Sequence, residues 1–296
     1  MLHRLPFKLG YDVSGTVVAV GPKVPSHIRP GVEVYSRVPE KNRGTFSEYA
    51  VSPASATALK PASLSHIQAA SLPLAALTAL QAFDTADKHL EGGLKGKTVY
   101  IPGGLSGTGS IGVQLAKNVF GAAKVITTLS PAKIAKADAL LGSGVLDHII
   151  DYTKEDPNSE IPAGSVDFYF DTMGSRVSKS LPLMKKGGII TPIIGFVFGP
   201  GLKKKAPHIP TFILWILNFI GVVFQWRARR YGVELHPHFM EESAKDLERL
   251  SGWIEQGKIK TLVGRVANFE DIDAVREGCW EVYNGKGGTG KFVVDI

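Results

Sequence analysis

The chain has 296 residues with a formal net charge of +7; 44% are hydrophobic and 21% charged. That hydrophobic share suffices for a substantial core and excludes an intrinsically disordered chain, while the length predicts two domains at roughly 100–200 residues each. The single cysteine, Cys279, excludes an intrachain disulfide and a thiolate-rich zinc site, and apart from Lys203–Lys205 and Arg227–Arg230 the basic residues are spread along the chain rather than gathered for nucleic acid.

The first residues, Met1 to Gly10, contain no long apolar run, so no secretory signal is expected and a cytoplasmic location follows. A mitochondrial or membrane- or lipid-droplet-associated location is the alternative. From Leu9 to Ala50 the chain reads as β-rich, with short strands at Val17–Val20 and Val32–Tyr35 and turns at Gly21-Pro22 and Pro30-Gly31. From Ser65 the composition turns helical, first over Ser65–Ala70 and then over Leu74–Phe83.

A strand–turn–helix unit comes next: Thr98–Ile101, a turn from Pro102 to Gly109, and a helix over Ser110–Phe120 with Ile111, Leu115 and Val119 on one face. The alternation continues with a strand at Lys124–Leu129, a helix over Pro131–Leu141, and strands at His148–Ile150, Val166–Phe170 and Gly188–Ile194. Apolar strands alternating with helices predict a parallel sheet covered on both faces, an α/β doubly wound architecture. The tail reads as an amphipathic helix over Glu241–Gln256, a strand at Leu262–Val266, a helix through Val275 and a last strand at Lys291–Ile296. It is expected to complete the β-rich domain begun at the N-terminus.

Gly107-Thr108-Gly109-Ser110-Ile111-Gly112 lies between a predicted strand and a predicted helix. Glycines there let the backbone approach a pyrophosphate, and the helix start offers unpaired N–H groups and a favourable dipole. The bland alternative is a tight turn with no ligand. The second strand of the unit ends Thr128-Leu129-Ser130-Pro131-Ala132-Lys133, without the acid that usually binds the ribose hydroxyls of NAD. Ser130, Lys133 and Tyr152 can instead hold a 2′-phosphate, which favours NADPH; against this, Lys133 is a solvated helix residue and Tyr152 merely packs.

Several segments carry a family resemblance: Leu9-Gly10-Tyr11-Asp12-Val13-Ser14-Gly15-Thr16-Val17, Gly44-Thr45-Phe46-Ser47-Glu48-Tyr49-Ala50, the run Ala69–Ala79, Gly112–Lys117, Phe170–Gly174 and Thr289–Val294. The chain resembles the zinc-free quinone oxidoreductase branch of the medium-chain dehydrogenase/reductase superfamily along essentially its whole length. The resemblance implies a Rossmann domain over residues 72–240, inserted in a GroES-like β-rich domain made of residues 1–71 and 241–296. It also implies that this β-rich domain is incomplete, because members usually carry further strands before the Leu9-Gly10 motif.

Carried over residue by residue, the resemblance has Ser106, Gly107, Thr108 and Gly109 hold the pyrophosphate. Ser130, Lys133 and Tyr152 hold the 2′-phosphate, Thr172, Ile194 and Gly195 lie along the cofactor, and Phe239 and Met240 approach the nicotinamide. Zinc members have a ligating His where Tyr11 stands, so no metal is expected, and Tyr11 is the one speculative proton donor. The implied activity is NADPH-dependent hydride transfer to a small apolar enone, enoyl or quinone substrate, which needs no Lewis acid. A non-catalytic NADPH-binding protein and a trans-acting enoyl reductase are the alternatives.

Two features stay open. His236 and His238 would share one side of a strand and chelate, although a polar strand end is the simpler reading. Ile209–Phe224 is an apolar run flanked by Lys203–Lys205 and by Arg227, Arg229 and Arg230. It falls short of the usual ~20-residue span. It reads as a helix lining a substrate cleft or a homodimer surface, or as a peripheral membrane contact.

Overall fold

The computed structural model describes residues 8–174, 177–194, 209–285 and 288–296. They form two compact units: one of Gln81–Gly104 and Gly112–Phe239, the other of the chain up to Leu80, Leu105–Ile111 and Met240–Ile296.

The unit holding both ends of the chain begins with three antiparallel strands, β1 (Asp12–Thr16), β2 (Glu33–Arg37) and β3 (Thr57–Leu59), in the order β1-β2-β3. The β-branched run Val17–Val20, expected as a strand, lies just beyond β1. Val17 still exchanges backbone bonds with Gly31 and Val32, but the segment then runs into solvent, with Val18 66% exposed. β-propensity alone does not make a strand without a neighbour to pair with. Helix α1 (His66–Ala70) is started by a capping box in which the Ser65 hydroxyl accepts the Gln68 N–H and the Gln68 side-chain Oε1 accepts the Ser65 N–H. Helix α2 (Pro73–His89) follows.

The other unit is a sheet of six parallel strands: β4 (Thr98–Pro102), β5 (Lys124–Leu129), β6 (His148–Asp151), β7 (Val166–Asp171), β8 (Met184–Pro192) and β9 (Glu234–Leu235). Their order is β6-β5-β4-β7-β8-β9. The chain winds outward from β4 to β6, then returns to the other side of β4 and winds outward again. This is the doubly wound order, and the reversal between β4 and β7 is its switch point. Every residue of β7 is buried, as expected of a strand covered on both faces. Tyr100, Ile126, Ile150, Tyr169 and Ile190 form the core on one face. Phe168 and Phe170 alternate with Tyr169 and point the other way, where Phe83 of α2 meets them edge-on at 5.1 and 5.6 Å.

Short helices connect the strands. α3 (Gly107–Gln114) runs on into one wide π turn at Leu115–Val119. The helix expected over Pro131–Leu141 is two pieces, α4 (Pro131–Ile134) and α5 (Ala137–Leu141), because the Lys136 N–H bonds back only three residues, to Lys133, and breaks the ladder. α6 (Pro157–Glu160) and α7 (Val177–Ser180) follow, then the long α8 (Thr211–Arg230).

The chain then returns to the first unit with α9 (Ala244–Glu255), β10 (Val263–Asn268), α10 (Ile272–Tyr283) and β11 (Lys291–Asp295), β10 and β11 pairing in parallel. α10 extends well past Val275, where the sequence reading ended it. Buried Tyr35 of β2 donates its hydroxyl to the Leu247 carbonyl at 2.6 Å, tying α9 to the antiparallel strands.

Candidate functional site

In a parallel sheet all strand C-termini lie along one edge, so the residues that follow β4, β5, β6, β7 and β8 share that edge. The turn after β4 is held from both sides. Thr127 and Thr128 at the end of β5 accept the N–H groups of Gly104 at 2.9 Å and Gly103 at 3.1 Å, and Thr127 donates to the Ile101 carbonyl at 2.6 Å. From the β7 side, Thr172 donates to the Pro102 carbonyl at 2.6 Å. The approach is close enough that a Cβ on Gly104 would stand 2.4 Å from the Thr127 hydroxyl. Further along, a Cβ on Gly112 would press on the Phe170 ring at 3.2 Å, so the last glycine of the motif serves helix-to-sheet packing.

The segment Leu105–Ile111 is organised separately. Ser106 caps α3: its hydroxyl accepts the Gly109 N–H at 3.1 Å, and its carbonyl accepts the Ser110 N–H at 2.9 Å. A hydroxyl that accepts in this way still carries a proton to donate. Gly107 and Thr108 occupy the first helical positions, where backbone N–H groups have no intrahelical acceptor. The residues expected to hold a pyrophosphate therefore form the start of α3, and an anion fits the chemistry of a helix N-terminus.

At the end of β5, Ser130 precedes α4 in an extended conformation and makes no side-chain cap bond. Lys133 is half-buried on α4, and Tyr152, just past β6, is 56% exposed. No acid stands at the end of β5. Asp151 at the end of β6 is committed to Thr153, whose hydroxyl donates to it at 2.6 Å and, with the Thr153 N–H, holds the carboxyl below its ordinary range. Asp171 closes β7 by accepting the N–H groups of Met173 and Gly174, each at 3.1 Å. Ile194, past β8, is 53% exposed, and Gly195 lies outside the described residues.

β9 ends at Leu235, so His236 and His238 lie just beyond the strand. The chain nevertheless stays against β8: His236 N–H donates to Ile190 at 2.9 Å and His238 N–H to Pro192 at 3.1 Å. This carries the backbone to half-buried Phe239 at the sheet's edge. His236 pairs with Glu234 at 2.9 Å and packs on His89 with ring centroids 4.7 Å apart. A cleft of about 550 Å³ opens beside it, lined by Thr85, Thr191, Gln225, Glu234, His236 and His238 among others.

In the β-rich unit, Tyr11 lies under the Arg37 guanidinium, 4.8 Å from ring centroid to carbon, and Arg37 in turn pairs with Glu242 at 2.8 Å. Beside Tyr11, the Asp12 carboxylate accepts the Leu74 N–H at 2.9 Å and faces Lys291 at 3.7 Å. The Lys291 stem also lies against Gly107, where a Cβ would meet it at 2.6 Å. Burial raises the Asp12 carboxyl above its ordinary value, while Lys291, the Leu74 N–H and Arg37 pull it down. Met240 is half-buried in the same unit.

Among the described residues no three His, Cys, Asp or Glu side chains gather to hold a metal ion. Tyr11, where the resemblance has zinc members carry a ligating His, stands beside Arg37. Sequence reasoning missed Thr127, Thr128, Arg37 and Lys291. The Thr-Thr pair ending an otherwise apolar strand next to Gly103-Gly104 was the available signal.

A doubly wound sheet whose first strand runs through a glycine-rich turn into a helix start at the switch point defines a nucleotide-binding-type α/β protein with an attached β-rich unit. Residues 146–293 match the zinc-binding dehydrogenase family, half of the chain, and the protein belongs to it. The chain is 39% identical to 2-methylene-furan-3-one reductase of Solanum lycopersicum over 67% of its own length and 50% of that protein. It is 37% identical to the chloroplastic NADPH-dependent alkenal/one oxidoreductase of Arabidopsis thaliana, over 69% and 54% respectively. The chain thus spans about half the length of these curated relatives. The quinone oxidoreductase from Coxiella burnetii superposes with a TM-score of 0.76 at 26% identity, over 99% of this chain and 80% of that one. The α/β Rossmann-type sheet and the GroES-like β unit of the medium-chain dehydrogenase/reductase superfamily are the architecture of this protein.

Proposed function

We propose that the protein is an NADPH-dependent reductase that delivers hydride, without zinc, to an enone, enoyl or quinone substrate. The observation that carries this reading is the β4–α3 turn. It is fixed by three threonine hydroxyls and leads into the start of α3, which the Ser106 hydroxyl caps. Names among the relatives, an alkenal/one oxidoreductase and a furanone reductase, support the substrate class.

Bound NADPH would supply a hydride. Ser106, Gly107, Thr108 and Gly109 would hold its pyrophosphate through backbone N–H groups and the Ser106 hydroxyl. Ser130, Lys133 and Tyr152 would hold the 2′-phosphate, with no acid at the end of β5 to repel it. Thr172 acts through its grip on Pro102, positioning the turn. Ile194, Phe239 and Met240 would offer apolar surface along the rest of the cofactor. The substrate's conjugated double bond would take that hydride at one end and a proton at the other. Tyr11 is the candidate donor of that proton, with Arg37 over its ring.

Fluorescence titration of the 296-residue chain with NADPH and NADH tests the nucleotide half. NADPH should bind more tightly, Gly107→Asp should abolish binding by placing a carboxylate at the helix start, and Lys133→Ala should narrow the preference about tenfold, roughly 1.4 kcal/mol. Equal affinity for NADH would sink the 2′-phosphate assignment. A bound NADPH that no enone or quinone ever oxidises would sink the reductase reading while leaving the nucleotide site intact.

A further inference from the structure

Helix α8 has two unlike faces. Leu214, Gly221 and Ala228, seven residues apart, are buried, Phe224 packs against the core on the tyrosine face of the sheet, and Gln225 donates to the Leu235 carbonyl. The opposite face carries Phe212, Trp215, Ile216, Phe219, Val223 and Trp226, which are 41–75% exposed. Their spacing of three and four residues places them on a single stripe along the helix. Only 17% of the most apolar 18-residue window is buried. So large a continuous apolar surface marks an interaction site.

Charge decides what covers it. Thr211–Arg230 contains no Asp or Glu, and it ends in Arg227, Arg229 and Arg230, all exposed, with the Arg230 guanidinium 3.9 Å above the Trp226 ring. A second copy of the chain would offer the same aromatic stripe, but also the same three arginines and no carboxylate on the helix to meet them. A bilayer with anionic headgroups meets both halves: acyl chains for the stripe, phosphates for the arginines, and a headgroup boundary where tryptophan is favoured. α8 is long and apolar enough to cross a membrane by composition, but its buried stripe is docked on the sheet, so in the folded protein it lies along a surface.

We infer that α8 is a peripheral membrane anchor, its aromatic face sunk in the acyl boundary of an anionic bilayer and its arginines on lipid phosphates. This stands independently of the reductase reading. The test is co-flotation of the whole chain with phosphatidylcholine vesicles, with and without phosphatidylserine, at low and high salt. The chain should float with the anionic vesicles, less at high salt, and not with the neutral ones. Trp215→Ser with Phe219→Ser should cut binding at least about tenfold, from the apolar area removed. Arg227→Gln, Arg229→Gln and Arg230→Gln together should cut it about a hundredfold, each basic residue counting roughly 1 kcal/mol at such a surface. Both variants alter exposed residues, and an unchanged thermal midpoint verifies that they fold. Absence of flotation, or equal binding to neutral vesicles, overturns the proposal. So does a concentration-dependent dimer that the Trp215/Phe219 variant dissolves while wild type ignores vesicles, because the face then belongs to a second copy.

Discussion

Helices α2 and α8 are the longest among the described residues, 17 and 20 residues, and both are apolar over most of their length. They end in opposite environments. In α2, Ala75, Ala76, Ala79, Ala82 and Ala86 are each no more than 1% exposed, and Leu77, Leu80 and Phe83 are fully buried. Methyl-sized side chains let neighbouring elements close on the helix from every side at interior packing density. α8 also touches the protein through small residues, Gly221 and Ala228, but it turns its aromatic bulk outward. Hydropathy alone does not separate the two; the distribution of side-chain size around the helix does. Their starts differ as well. Asp12 accepts an N–H of the first turn of α2, whereas α8 begins after Pro210 with no side-chain cap.

The sharpest way to break α2 is Phe83→Ala. The ring is fully buried and meets Phe168 and Phe170 edge-on and Phe120 at 5.5 Å, so truncation opens a cavity in the middle of that face. Urea unfolding should show a loss of about 3–5 kcal/mol. The same dependence on small residues at close contacts governs the β4–α3 turn. Gly104→Ala should cost about 1–3 kcal/mol through the clash with Thr127. Adding Thr127→Ala should recover part of that loss, so the double variant costs less than the sum of the singles. Simple additivity would mean that the turn is not held by this contact.

Asp12→Asn probes the anchored start of α2 through pH. Burial raises the Asp12 carboxyl above its ordinary value, so the folded chain holds that proton more tightly than the unfolded one. The resulting stability is fully present below the unfolded pKa and is lost as pH rises through the folded one. The asparagine variant keeps an acceptor for Leu74 but cannot titrate. Its stability relative to wild type should therefore improve steadily as pH is raised through the acid range, in chemical unfolding at a series of pH values. A constant difference across that range would show that Asp12 titrates alike in both states.

The parallel sheet was legible in the sequence because buried strands announce themselves as short apolar runs between helices. β5 was expected over its observed range, and β4 and β7 within a residue. What could not be read was pairing across the chain. Thr127, Thr128 and Thr172 look like ordinary strand-end residues until β5 and β7 are placed on either side of β4. Ser106 was legible as a residue of the glycine-rich turn, but its capping of Gly109 depends on where α3 starts. The Val17–Val20 run has strand composition without a continuing partner, and Pro131–Leu141 has helix composition interrupted by a tight turn at Lys136. Local propensity sets what a segment prefers, and tertiary context decides which preference is met.

Trp215→Ala should have the smallest effect on stability, which is its use. Residue 215 follows buried Leu214 on the same helix, yet it is 75% exposed. Removing the indole takes away little buried area, and alanine is the better helix former. Thermal and urea unfolding should therefore move by no more than about 0.5 kcal/mol, the range of ordinary surface substitutions. A loss of a kilocalorie or more would mean that the outer stripe of α8 is packed against this chain, and the contrast with α2 would collapse. A neutral result leaves the more exposed of the helix's two tryptophans contributing nothing to the fold, as a residue kept for contact with something outside it would.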